Sequence, residues 1–146
     1  MNRPNCIIVH CSATPVFRDI SLSDIDRMHK NRGFAGIGYH FYITKDGIVH
    51  RGRPINQVGA HCLGMNDKSI GICYEGGLGK TLKPEDTRTV FQKSALISLI
   101  RDLLVKYPLI KNIYPHYHFA NKACPCFDAK TEYNYLLKYK VDGLLK

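Results

Sequence analysis

The stretch from Thr89 to Pro108 constrains the fold more than any other part of the chain. Thr89-Val-Phe-Gln92 has the form of a capping box, in which a threonine hydroxyl and a glutamine side chain satisfy each other's backbone amides. Pro108 closes the segment, because proline lacks the amide that a continuing helix needs. Between them Phe91, Ala95, Leu96, Leu99, Ile100, Leu103 and Leu104 recur at helical spacing. They predict a helix to about Tyr107 with a broad apolar face, which must be covered by a sheet.

The remaining segments supply that sheet. Residues 5–10 read as a buried strand rich in isoleucine and valine. Tyr39–Thr44 reads as a strand, Lys45-Asp-Gly47 as a hairpin turn, and Ile48–Arg51 as the returning strand. Ser69–Glu75 is another strand, stopped by Gly76-Gly77, and 79–84 is an exposed loop. Leu109–Tyr114 is a short strand or extended segment. Ser21 or Ser23 caps a helix running to about Asn31 with Gly33 as its stop, and a final helix spans about Lys130–Tyr139. Strands interleaved with helices, one hairpin among them, give an α/β fold with a mixed sheet. A chain of 146 residues suits one domain over 1–146.

Composition narrows the class. No run approaches the roughly 20 apolar residues that span a bilayer. The N-terminal apolar run is shorter than the roughly 7–15 residues of a signal-peptide core, so synthesis in the cytoplasm is expected. The net charge of +9 favours an anionic partner through long-range steering, with nucleic acid or an acidic wall polymer as alternatives to a plain basic surface. Six cysteines are present without a Cys-x-x-Cys pair, which argues against a zinc ribbon or a thioredoxin-type site. Cys6, Cys62 and Cys73 read as buried free thiols.

Chemistry concentrates at two places. His10 ends the first apolar strand, where α/β folds collect functional residues. The stretch 115–128 carries His116, His118, Cys124 and Cys126. In an extended segment His116 and His118 share a face, and either or both could bind a metal. Imidazole with thiolate favours zinc among the common divalent ions. Cys126 competes with Cys124 on spacing alone. Three such ligands leave the fourth zinc position open, as in a catalytic rather than a structural site. Lys122, two residues before Cys124, is placed to donate a charge and a hydrogen bond to an oxyanion.

Six segments in order carry a resemblance. They are Ile8-Val-His-Cys-Ser-Ala-Thr14, Gly38-Tyr-His-Phe41, Asp46-Gly47, Val58-Gly-Ala-His61, Ser69-Ile-Gly71 and Lys122-Ala-Cys-Pro-Cys-Phe-Asp128. Each is weak alone; together they span residues 6 to 128 and are specific. They resemble the zinc-dependent N-acetylmuramoyl-L-alanine amidases of the type-2 amidase and peptidoglycan-recognition-protein superfamily, and among these the short bacteriophage amidases called lysozymes. The resemblance implies a central mixed sheet flanked by helices, with a zinc-floored groove on one face. It implies Zn2+ on His10, His116 and Cys124, catalytic roles for Tyr39 and Lys122, and a substrate-binding role in the groove for His61. His118 and Cys126 become non-ligands. The implied reaction is zinc-assisted hydrolysis of the amide between the lactyl group of N-acetylmuramic acid and L-alanine in peptidoglycan. Tyr39 and Lys122 would stabilise the oxyanion or pass a proton to the leaving amine. Release or export by another route would bring the enzyme to the cell wall. The chain departs from the phage pattern by carrying His118 where that pattern has an acidic residue, Asn121 in place of a proline, and Cys126 in place of a serine.

Three other classes compete. A non-catalytic peptidoglycan-binding module of the same fold would lack the metal thiolate, which Cys124 supplies here. A polymerase-regulating or nucleic-acid-binding protein is compatible with the charge, but no helix-turn-helix, zinc-finger or RNP pattern occurs. A Cys–His peptidase would use Cys124 as nucleophile.

Overall fold

The computed structural model describes residues 1–141. Two uninterrupted apolar runs become the middle of the sheet: β1 (Cys6–Cys11) and, later in the chain, a six-residue strand at Ser69–Tyr74, every residue of both being buried. Between them come β2 (Thr14–Pro15), α1 (Leu22–Asn31), β3 (Phe41–Ile43) and β4 (Val49–Arg51), which makes Ser69–Tyr74 β5. Then follow β6 (Gly77–Leu78), α2 (Val90–Lys106), β7 (Asn112–Pro115), a single 3-10 turn at His116–His118, and α3 (Ala129–Val141).

The main sheet has the order β4-β3-β5-β1-β7. β1 lies parallel to both β5 and β7, β3 runs parallel to β5, and only the β3–β4 hairpin is antiparallel. Parallel strands need both faces covered, which explains why β1 and β5 are buried throughout and mostly apolar rather than alternating. β2 and β6 form a separate parallel pair. The expected α/β class with a mixed sheet is observed.

Alternation along β1 sorts its side chains between two layers. Ile7 and Val9 join Ile70, Ile72, Leu96, Ile100, Leu104, Tyr133 and Leu136 in the larger core, under α2 and α3. Cys6 and Ile8 face the other way, against Cys62 and Met65. His10 follows Ile8 in this alternation and so belongs to the layer opposite α2.

The helix starts follow the predicted chemistry. Ser21, rather than Ser23, caps α1 in a reciprocal box with Asp24. Gly33 accepts the left-handed backbone that ends α1, at φ +94°. Thr89 and Gln92 form the box at α2. The Gln92 amide nitrogen also donates to the carbonyls of Ile43 and Glu75, tying the helix to the ends of β3 and β5. One reading of α2 needs correction: Phe91 is 63% exposed. It sits in the first turn of α2, with its backbone against Gly47 of the hairpin turn.

Candidate metal centre

His10, His116 and Cys124 come together at the C-terminal end of β1. One ligand atom from each lies within 4.8 Å of the others. β1 delivers His10, and the parallel β1–β7 register sets Val9 beside Pro115, so His116 emerges next to His10. Their ring centroids are 4.4 Å apart. The loop after the 3-10 turn folds back to bring Cys124 in. It is held there by the Tyr117 amide donating to the Cys124 carbonyl at 2.9 Å and by the Tyr74 hydroxyl donating to the Pro125 carbonyl at 2.7 Å. The backbone amide of Cys11 donates to Cys124 Sγ at 3.1 Å, which fixes the sulfur beside the end of β1.

The imidazoles are in the state a cation requires. Burial pushes the His10 pKa well below the ordinary value, with the charges of His61, His116 and Lys122 acting in the same direction. Burial and then the Lys122 ammonium lower His116 to about 4. Both rings are therefore neutral at pH 7 and present a lone pair.

The sequence expectation for 116–118 changes in one respect. The segment is a 3-10 turn, closed by the Phe119 amide on the His116 carbonyl, so His116 and His118 do not share an extended face. His118 is exposed and stacks on Tyr114 at 4.5 Å, outside the donor group. Cys126 is also apart from it: its thiol donates to the Gly77 carbonyl, and burial raises it to about 12. All six cysteines are free thiols, with Cys6, Cys62 and Cys73 buried.

A groove of about 500 Å³ opens beside the donors, with Tyr39, His61, His116 and Lys122 among its walls. Tyr39 is set in place by its neighbour Gly38. The Gly38 amide donates to His29 Nδ1 at 2.8 Å. A Cβ at Gly38 would stand 2.0 Å from the Ala60 carbonyl oxygen, an approach only glycine permits. The Tyr39 ring lies 5.0 Å from His10 and 5.2 Å from His29. Burial, reinforced by the nearby Cys73, Cys124 and Cys11 thiols, holds its hydroxyl well above the usual range, so it remains a neutral donor. Lys122 is exposed at the groove wall. His61 lines the groove, but both its ring nitrogens are engaged inside the protein, at 2.8 Å from His10 Nε2 and 3.2 Å from Ser69 Oγ. At the groove rim the Arg32 guanidinium lies 5.0 Å from the Phe34 ring.

Sequence reasoning missed His29, Ser69 and the Cys11 amide. His29 had a signal, a histidine on a helix face that is otherwise apolar at Ile25. The Cys11 amide had none.

Among the described residues no helix is long and apolar enough to cross a membrane. Residues 1–127 match the family model for N-acetylmuramoyl-L-alanine amidase. The chain is 42% identical over 124 residues to an endolysin of Klebsiella phage KP32, covering 85% of this chain and 82% of that protein. It is 40% identical over 126 residues to an endolysin of Escherichia phage T7, covering 86% and 83%. Among solved structures, the endolysin N-acetylmuramoyl-L-alanine amidase LysCS from Clostridium intestinale superposes with a TM-score of 0.79 at 36% identity, covering 97% of this chain and 85% of that one. The chain thus belongs to the N-acetylmuramoyl-L-alanine amidase family, enzymes that hydrolyse the amide joining N-acetylmuramic acid to L-alanine in peptidoglycan.

Proposed function

We propose that residues 1–146 act as one amidase domain whose zinc ion is held by His10, His116 and Cys124, with Tyr39 and Lys122 as catalytic residues and His61 as a wall of the substrate groove. The observation that carries this reading is the meeting of two neutral imidazoles and a cysteine sulfur within 4.8 Å of one another. This donor set suits zinc, and three protein donors leave a position for water or substrate. When bound, zinc lowers the pKa of its water toward about 7 and polarises a carbonyl.

The chain's own groups supply the rest. Lys122 and Tyr39 stand on the groove beside the donors and can reach a carbonyl oxygen that gains negative charge. Lys122 offers a full positive charge and Tyr39 a hydrogen bond from a phenol that burial keeps protonated. One of the pair would pass the proton given up by the attacking water to the departing amine of L-alanine. The net charge of +9 draws the enzyme toward an anionic wall polymer.

The test combines metal analysis with mass spectrometry of digested peptidoglycan. One zinc per chain, with stem peptides released at a free L-alanine amine, is the expected result. Cleavage at another bond, or full activity without metal, overturns the reading.

A further inference from the structure

A file of hydrogen-bonded side chains runs from the donor group into the protein. His10 Nε2 meets His61 Nδ1 at 2.8 Å. His61 Nε2 meets Ser69 Oγ at 3.2 Å. The Ser69 hydroxyl donates onward to the Met65 carbonyl at 2.6 Å. A serine hydroxyl has one hydrogen, and a carbonyl can only accept. That hydrogen is committed to Met65, so Ser69 Oγ is left to accept from His61. A neutral His61 then carries its proton on Nε2 and offers a lone pair at Nδ1. His10 becomes the donor in the bond they share. Its hydrogen sits on Nε2, and its Nδ1 is bare.

The backbone around His61 is shaped to hold this ring. A Cβ at Gly71 would lie 2.7 Å from it, and one at Gly59 would lie 2.6 Å from it, so two glycines make its slot. The amides of His61 and Cys62 both donate to Asn66 Oδ1, which pins the turn that carries the ring. Ser69 itself is fully buried at the start of β5. A hydroxyl in that setting needs partners, and these two are the ones it has.

We infer that Ser69, acting through His61, is a positioning residue for the metal centre: the one-way file from the Met65 carbonyl holds His10 as its Nε2–H tautomer and leaves Nδ1 as its metal donor. The inference rests on the zinc reading above and goes further, since it assigns a role to Ser69 and a second one to His61. A ligating imidazole is oriented by the partner of its other nitrogen, and loss of such a partner typically weakens metal affinity or activity about 10–100-fold.

NMR of isotopically labelled histidine nitrogens, read on the metal-free wild-type chain, is the first measurement. His61 and His10 are both expected as Nε2–H tautomers; His61 protonated on Nδ1 overturns the inference. The second measurement is zinc affinity by competition with a chelator. Ser69→Ala should mix the tautomers at His61 and His10 and weaken zinc about 10–100-fold. Ser69→Thr, which keeps the hydroxyl, should restore both readings. Unchanged tautomers and affinity in a folded Ser69→Ala chain overturn the role of Ser69 while the zinc centre stands. A wild-type chain that binds no zinc overturns the centre and the inference together, so the two failures are told apart. Should Ser69→Ala not fold, the wild-type tautomers and Ser69→Thr decide.

Discussion

The backbone amide of Cys11 points at the sulfur of Cys124 and donates to it at 3.1 Å, across 113 positions of sequence. The strand that presents His10 therefore also holds the sulfur beside it. Removing the sulfur removes the softest of the three donors. Cys124→Ala should lose zinc stoichiometry and amidase activity together, as metal analysis and a peptidoglycan turbidity assay would show. A variant that kept both would place the metal elsewhere.

Lys122 stands at the groove without being one of the donors. Lys122→Ala should retain zinc yet lose turnover by a factor on the order of 10²–10³, the usual cost of removing an oxyanion donor. Its ammonium also depresses His116, so in the metal-free variant that imidazole should titrate at higher pH than in wild type. Turnover equal to wild type would make Lys122 an ordinary surface lysine.

Several buried histidines are kept neutral by the fold. His61 is lowered to about 3 and His116 to about 4, both chiefly by burial, from an ordinary value of 6.5. In the unfolded chain each takes a proton near 6.5, whereas the folded chain resists until its own lower value. Between these limits the unfolded state binds more protons, so acidification favours it. Melting of the metal-free protein should be insensitive to pH above about 6.5 and fall steadily below it, down toward 3. Equal melting temperatures at 6.5 and 4 would contradict this.

Arg88 clamps the loop before α2 to α3. Its guanidinium donates to Asp86, to both oxygens of Glu132 and to the Tyr133 hydroxyl, and lies 3.3 Å from the Phe127 ring centroid. Arg88→Leu keeps much of the volume but none of these bonds. Unfolding free energy should drop by roughly 2–3 kcal/mol, the scale of lost charge-assisted hydrogen bonds, measured by denaturant titration. A loss below measurement error would show the clamp to be solvated in solution.

Local signals made most of the fold legible. The apolar runs of β1 and β5, the capping residues Ser21 and Thr89 and the turn at Gly47 all act within a few residues of chain. The strand order was not readable, because nothing local says that β1 lies between β5 and β7. The same division holds at the site. His10 and the 115–128 stretch carried the atoms that the fold brings together, but choosing His116 over His118 and Cys124 over Cys126 came from the resemblance to a family. The physical basis of that choice is the 3-10 turn, and it is made by contacts such as Tyr117 with Cys124 that spacing cannot reveal. Ser69 was quoted only as part of a motif. Its meaning appears when β5 sets it under a ring that arrives from another loop.

The proposed donors lie far apart along the chain. His10 is synthesised early, and Cys124 only after the strands that flank β1 have been made. A nascent chain that has not reached residue 116 therefore holds His10 without either of its proposed partners, and one that stops short of residue 124 lacks the sulfur. On the zinc reading proposed above, the donor set is complete only once translation has passed Cys124.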